Sequence, residues 1–289
     1  MLKRVDRVQI AVTDRNEAER AVAEIFGGEL IRRDEIAHLH ARRSTMQAGT
    51  SHIDLLTPDG AGPIADFIGT HGGGLYGVGF SVADLDAAAR HFESKRVGFQ
   101  RDAGELYLDP KATFGLNAVI SAYEERKPVG AMRWIYETTN VVASWQAASR
   151  RYADIFALDA SKFCPISSPE FGYTGTLTMF DSPARLDRIE ISQTTDDTKA
   201  MGRFHKRRGD SLYMFFVETD DVSALCERLD ERGGKYASWR RDEAGLAEAF
   251  IHPSAFLGVL VGVSRTEHAW LWSGDPERSR RAAKDRAAR

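Results

Sequence analysis

The sequence has little of what marks a secreted or membrane protein. Only two of its 289 residues are cysteine, Cys164 and Cys226, so no disulfide framework is expected. No apolar run approaches the roughly 18 residues needed to span a bilayer. A strand-like pattern starts directly after Met1 and leaves no room for a signal-peptide core. We therefore expect a cytoplasmic protein without a membrane partner.

Neither charge nor glycine motifs point to a nucleic acid or nucleotide. The formal net charge of −3 gives no general attraction to nucleic acid. The glycine-rich residues 71–74 precede a strand-like segment instead of opening a helix, which a phosphate-binding loop would do. With 43% apolar and 28% charged residues the composition is that of a globular protein, and 289 residues suit two domains.

The chain contains an internal repeat. Residues 74–85 return as residues 211–222, with Tyr76 matching Tyr213 and Asp84 matching Asp221 at the same offset. Each copy has the pattern of a strand, an aspartate that caps a helix, and an amphipathic helix. Repeats of this kind indicate that one supersecondary unit is used several times.

Three further segments repeat in the same order. Residues 5–14 match residues 132–140, each a strand followed by a predicted helix cap, at Asp14 and Asn140. Residues 51–56 match 187–192, and residues 108–115 match 251–258. The pattern predicts an α+β fold of four βαβββ modules, paired into two domains with curved mixed sheets around clefts. We place the domains at 1–125 and 131–266, followed by a basic, exposed tail at 267–289.

This order of motifs resembles the vicinal-oxygen-chelate superfamily of glyoxalases, bleomycin resistance proteins and extradiol dioxygenases. Residues 53–58, 64–68 and 73–78 are locally most similar to methylmalonyl-CoA epimerase. The four-module length is similar to extradiol or 4-hydroxyphenylpyruvate dioxygenases. The resemblance implies two glyoxalase-type domains, in which a divalent ion would be held by His, Gln or Glu on the first and last strands of paired modules.

The family's metal-ligand positions are largely lost in this sequence. The resemblance assigns them in the first domain to Arg7, Asp54, Gly77 and Val119, and in the second to Arg133, Glu190, Met214 and Gly262. A guanidinium cannot ligate a metal, and only one acid remains in each domain. We therefore expect no cofactor, with a divalent Fe, Mn or Zn ion as the alternative. The expected replacement is an ion pair, Arg7 with Asp54 and Arg133 with Glu190, which either binds a substrate oxyanion or only holds the sheet closed.

Strand alternation adds further residues to both clefts, because residues two apart share a face. Beside Arg7 and Asp54 it predicts Gln9, His52 and Asn117, and Gln9, His52 and Asp54 form an alternative metal site. In the second cleft the same rule adds Glu137, Arg188, Ser192, Met214 and Phe216. The predicted catalytic residues are His52, Asp54, Glu137 and Glu190, and the predicted substrate-binding residues are Arg7, Gln9, Asn117, Arg133, Arg188, Ser192, Met214 and Phe216.

These features favour a lyase or isomerase that transfers a proton near a carbonyl of a small organic substrate. One alternative is a non-catalytic protein that binds or sequesters a small molecule. Another is a ring-cleaving or hydroxyphenylpyruvate-type dioxygenase with non-standard metal ligands. The expected partner is a small molecule, and a homodimer is left open.

Overall fold

The computed structural model describes residues 1–182, 184–274, 277, 280, 281 and 284. The first half of the chain forms β1 (Leu2–Ala11), α1 (Arg15–Phe26), β2 (Glu29–Ile36), β3 (Ala41–Ala48), β4 (Ser51–Pro58), α2 (Pro63–His71), β5 (Gly74–Val82), α3 (Leu85–Ser94), β6 (Phe99–Asp102), β7 (Glu105–Leu108) and β8 (Ala118–Ala122). The second half forms β9 (Trp134–Val141), α4 (Trp145–Ile155), β10 (Cys164–Ser168), β11 (Tyr173–Met179), β12 (Arg188–Thr194), α5 (Ala200–Arg208), β13 (Ser211–Glu218), α6 (Val222–Glu231), β14 (Tyr236–Asp242), β15 (Gly245–Ile251), β16 (Leu260–Ser264) and α7 (Thr266–Leu271).

The strands form two eight-stranded mixed sheets with the same order. The first sheet runs β2-β3-β4-β1-β5-β8-β7-β6, and the second runs β10-β11-β12-β9-β13-β16-β15-β14. In each sheet the first strand of one module lies beside the first strand of the next, so the two modules share one curved sheet. The predicted α+β fold of paired modules is confirmed.

Strand register corrects one part of the repeat. In the first sheet Arg7 pairs with His52 and Gly79, and the equivalent position in the second sheet is Glu137, which pairs with Arg188 and Phe216. The predicted match between Arg7 and Arg133 is therefore wrong by four residues.

The helix cap shows the same shift. Helix α4 is capped by Ser144, which accepts a hydrogen bond from the backbone N–H of Ala147. Asn140, the predicted cap, lies within β9 and its amide donates to the hydroxyl of Tyr152 and the carbonyl of Phe114. A run of strand-forming residues does not by itself determine how the strand pairs with its neighbours. The sequence therefore did not reveal this shift.

One hydrophobic cluster contains side chains from both sheets and their helices. Phe80 of β5 packs against Phe156 and Phe180 of the second half, with ring centroids 5.6 Å away in each case. Aromatic edge contacts of this kind add to the burial of apolar area that stabilises the two halves together. The domain limits 1–125 and 131–266 remain a prediction.

The start of the predicted tail is packed on the second sheet. In α7 the side chains of Ala269 and Trp270 are buried, so the expectation of an exposed segment is wrong there. Of the remaining tail, residues 275, 276, 278, 279, 282, 283 and 285–289 lie outside the described residues. Within the described part of the chain, no helix has the length and apolar character to cross a membrane.

Candidate functional site

The cleft of the first domain is filled by buried ion pairs. Nη1 of Arg7 lies 3.3 Å from Oδ2 of Asp54 and also contacts Glu105. Nη1 of Arg43 lies 2.6 Å from Oε2 of Glu105 and 3.6 Å from Oδ2 of Asp54. Burial alone would raise the pKa of Asp54, but Arg7 and Arg43 hold it below its ordinary value. Asp54 is thus ionised, and two guanidinium groups bridge it to Glu105.

The other side chains of this cleft also have partners. Tyr107 donates its hydroxyl hydrogen to Glu105 over 2.7 Å, and Gln9 donates to Asp54 over 3.4 Å. Asn117 donates to the backbone carbonyl of Tyr76, so its amide serves the sheet and not a ligand. The arrangement therefore resembles a closed structural network more than a binding site.

His52 lies beside this network in a setting that disfavours its charged form. Its side chain is buried, and neither ring nitrogen has a hydrogen-bond partner among the described residues. Burial, together with the nearby charges of Arg7 and Arg126, lowers the pKa of His52 to about 3. A histidine this weakly basic does not suit a general base near neutral pH.

The second domain instead contains a cavity of about 430 Å³. Its walls carry eight aromatic rings, those of Tyr136, Phe171, Tyr173, Tyr213, Phe216, Trp239, Phe250 and Trp272. The rings contact one another, with centroids of Phe171 and Trp239 5.0 Å apart and those of Phe216 and Phe250 5.8 Å apart. A cavity of this size and lining suits a small organic molecule.

Charged side chains of β9 and β12 lie at one end of this cavity. Nε of Arg188 lies 2.5 Å from Oε2 of Glu137, and its Nη1 donates to the carbonyl of Ala269 over 3.1 Å. The Arg188 guanidinium also lies over the ring of Tyr136, 5.1 Å from its centroid. Arg188 and Glu137 line the cavity as expected from alternation, but they are paired with each other.

Glu190 lies in the same cavity without a cationic partner. It accepts hydrogen bonds from the hydroxyls of Ser192 at 2.5 Å and Thr139 at 3.2 Å, and it forms no ion pair with any described residue. Burial and the nearby carboxylate of Glu137 raise the pKa of Glu190 to about 8. The predicted residues Met214 and Phe216 line this cavity too.

Sequence reasoning missed one member of this cluster. Glu248 of β15 is 4% exposed and lines the cavity, and burial raises its pKa to about 7 despite the opposing effect of Arg240. The sequence did contain a signal for Glu248. Residues 105–108 and 248–251 lead into the repeated segments 108–115 and 251–258 and share their first residue. Both begin with a glutamate, and extending the match by one strand would have found it.

Arg133 lies elsewhere, and its predicted pairing with Glu190 is wrong. It precedes β9, lines a different cavity of about 510 Å³ at the junction with the first domain, and pairs with Asp220 at 2.7 Å. Glu218 lies 3.9 Å away. The four-residue shift in register explains the error, because Glu137 and not Arg133 faces the acid-bearing strand.

The side chains present do not fit the family's metal ion. In the first cleft the carboxylates form ion pairs with guanidinium groups, and in the second cleft Glu137 forms an ion pair with Arg188. Among the described residues, three donor side chains converge within 4.8 Å at Asp242, Glu267 and His268. These three were not predicted, and Arg265 contacts both acids of the group.

Comparisons with known proteins agree with this fold. Residues 6–105 match the model of the Glyoxalase/Bleomycin resistance protein/Dioxygenase superfamily. The resemblance to this superfamily is confirmed. No curated protein sequence matches the chain.

Solved structures extend the likeness beyond the matched segment. A mutant of 4-hydroxymandelate synthase from Streptomyces coelicolor superposes with a TM-score of 0.68 at 12% identity, covering 91% of this chain and 93% of that one. Methylmalonyl-CoA epimerase from Mycobacterium tuberculosis gives a TM-score of 0.40 at 21% identity, covering 47% of this chain and 89% of its own. The first likeness shows that the chain shares this fold over most of its length, and it shows nothing about activity.

Proposed function

We propose that the protein is a small-molecule enzyme of the lyase or isomerase kind, which transfers a proton near a carbonyl in the cavity of the second domain. Glu190 is the proposed proton-transfer residue. The observation that carries the proposal is a buried carboxyl group, facing an aromatic-walled cavity of about 430 Å³, whose pKa is raised to about 8.

The raised pKa suits this chemistry because a general acid or base works best when its pKa lies near the working pH. At neutral pH the Glu190 carboxyl would hold a proton that it can donate to a carbonyl oxygen. Its ionised fraction would remove a proton from the neighbouring carbon. The hydroxyls of Ser192 and Thr139 hold the carboxyl in one orientation for either step.

The aromatic walls support proton transfer in a second way. They keep water from the floor of the cavity, so charges that develop during the reaction are stabilised by fixed groups instead of solvent. Arg188 would supply positive potential there, although Glu137 offsets part of it. Both residues would position and polarise the substrate without exchanging a proton.

Binding without turnover is a second candidate. The observation that favours it is the first domain, where the equivalent acids are buried and bridged by arginines, so this fold can hold the acid pair in a purely structural role. A protein that sequesters an aromatic molecule would need the walls of the second cavity but not a proton-transfer residue.

Hydrogen exchange separates these functions. Candidate carbonyl compounds that bind the cavity are incubated with the protein in D2O, and deuterium at the carbon next to the carbonyl is followed by NMR. With each compound at a concentration that saturates the variant, we expect Glu190→Gln to abolish exchange and the rim control Glu170→Gln to leave it unchanged. Equal exchange by wild type and Glu190→Gln would refute the role of Glu190, and binding without exchange by the wild type would favour sequestration.

A further inference from the structure

The two domains hold the same pair of acids in different surroundings. Asp54 and Glu190 occupy equivalent positions, because their strand partners are Gln9 and Thr139, each two residues beyond the Arg7 and Glu137 positions. Glu105 and Glu248 are equivalent as well. The residues that directly follow them, Leu106 and Ala249, pair with matched positions on the neighbouring strands of the two sheets. The first domain therefore shows how this pair is held when no ligand is needed.

In the first domain cations bridge the two acids. Arg7 contacts both Asp54 and Glu105, and Arg43 does so from the other side. Bridging by two buried guanidinium groups neutralises both carboxylates without water. Removing one partner of such a buried pair would leave an uncompensated charge.

The second domain lacks both bridging cations. The counterpart of Arg7 is Glu137, which adds a negative charge, and the counterpart of Arg43 is Gly175, which has no side chain. Where two arginines lie in the first domain, the second has an additional acid and a glycine. Its Arg188 occupies the position of His52 and pairs with Glu137.

Glu190 and Glu248 thus face the cavity with unused acceptor capacity. Both are more than nine-tenths buried and line the cavity. Oε2 of Glu248 accepts no hydrogen bond from the described residues, although Nε of the half-exposed Arg240 lies 2.8 Å away. Glu190 has hydroxyl donors but no ion pair in the described part of the chain.

We infer that the ligand of this cavity is an aromatic molecule with a cationic nitrogen group, an amidine, guanidine or protonated amine, that bridges Glu190 and Glu248 as Arg7 and Arg43 bridge Asp54 and Glu105. The inference rests on the proposed function in taking this cavity as the substrate site. Aromatic walls add to the attraction, since rings such as Trp239 and Phe250 favour cations over their faces.

An anionic ligand would meet the opposite electrostatics. Nε of Arg188 is engaged by Glu137 and its Nη1 by a backbone carbonyl, so the charge of Glu137 offsets the positive potential that an anion would need. A carboxylate ligand would also add charge beside Glu137, Glu190 and Glu248. A transition metal such as Zn²⁺ or Fe²⁺ would find no histidine among the described residues of the lining, and one of the acids there, Glu137, is already paired with Arg188.

Three probes of one shape test the inference. Benzamidine, benzamide and benzoate differ in charge and share a planar aromatic form, and isothermal titration calorimetry measures their affinities for the full-length protein near neutral pH. We expect benzamidine to bind at least tenfold more tightly than either of the others. Glu190→Gln and Glu248→Gln should each weaken the binding of benzamidine at least tenfold. Glu170→Gln at the rim should leave it unchanged. Unfolding temperatures of the variants verify that each is folded.

The outcomes distinguish this inference from the proposed function. Benzamide binding as tightly as benzamidine would overturn the cationic ligand while keeping the cavity as a binding site. Tighter binding of benzoate would overturn it as well. Stoichiometric binding of Mn²⁺ or Zn²⁺ that is lost in Glu190→Gln would make the bridging cation a metal and overturn the organic ligand. If none of the three probes binds, the cationic ligand is overturned, and hydrogen exchange that is lost in Glu190→Gln would still support the proposed function.

Discussion

In the first domain the inward acids contact arginines on both sides, whereas in the second domain the equivalent acids line a cavity. The strand order is the same in both halves, so the difference comes from a few side chains at matched positions. Arg7 and Arg43 close the first cleft, and Glu137 and Gly175 replace them in the second. The comparison teaches that one fold can use its concave face for stability in one copy and keep it open in another.

The largest expected effect follows from breaking the closed network. Arg43→Ala would leave Asp54 and Glu105 short of one buried cation, and we expect a loss of about 3–5 kcal/mol in the free energy of unfolding. Chemical denaturation measures it. The matched control is Arg240→Ala, whose half-exposed side chain should contribute about 0–1 kcal/mol. A loss below about 1 kcal/mol for Arg43→Ala would mean that the network is not what closes the first cleft.

The dependence of stability on pH should have opposite signs for the two acids. The pKa of Glu190 is raised from 4.5 to about 8, so the folded state binds more protons than the unfolded state between these values. The contribution of Glu190 to the free energy of unfolding is fully present below pH 4.5 and is lost as pH rises through about 8. Asp54 has a lowered pKa, so its contribution is present above the ordinary value and is lost as pH falls.

Subtracting a variant isolates the contribution of Glu190. We expect the wild type to lose stability relative to Glu190→Gln by about 3–4 kcal/mol between pH 5 and pH 8. Urea denaturation of both proteins across this pH range measures the difference. A difference that is flat with pH would contradict a raised pKa for Glu190.

Arg133→Ala should have a small effect and tests the corrected register. Its side chain is 28% exposed and its partner Asp220 is 61% exposed, so the pair should be worth about 0–1 kcal/mol. Binding of benzamidine should not change, because Arg133 lines a different cavity. Weaker binding in this variant would restore the original expectation that Arg133 faces the ligand.

The smallest expected effect is at His52. Its pKa of about 3 means that the ring stays neutral through the physiological range, and its NMR signals should not move between pH 5 and pH 8. His52→Asn should leave hydrogen exchange in the second domain unchanged. Titration of the His52 signals near pH 6.5 would show that the protonated ring is better stabilised than the structure indicates.

The fold could be predicted because the repeat is carried by strands, caps and turns that recur in order. Register could not, since β9 is a run of strand-forming residues and its pairing with β13 contains irregularities. The error of four residues is an even number, so it preserved which side chains face inward. For this reason alternation still found Glu137, Arg188 and Glu190 although Arg133 was misplaced.

One cation and two acids of the two clefts were not predicted. Arg43 lies on β3, and Glu105 and Glu248 lie on β7 and β15, strands that reach the cleft only through pairing across the sheet. The family resemblance pointed only to the strands that carry metal ligands. Whether a cleft is closed or open depends on side chains from the other strands, which no local pattern reveals.

The state of the Glu190 carboxyl tests the central claim most directly. Carboxyl carbons of glutamate can be followed by ¹³C NMR through a pH titration, and Glu190→Gln identifies the signal by its loss. The account predicts a side-chain carboxyl that titrates near pH 8 and shifts to a lower pKa when benzamidine binds. Titration of Glu190 near its ordinary pKa of 4.5, unmoved by ligand, would contradict it.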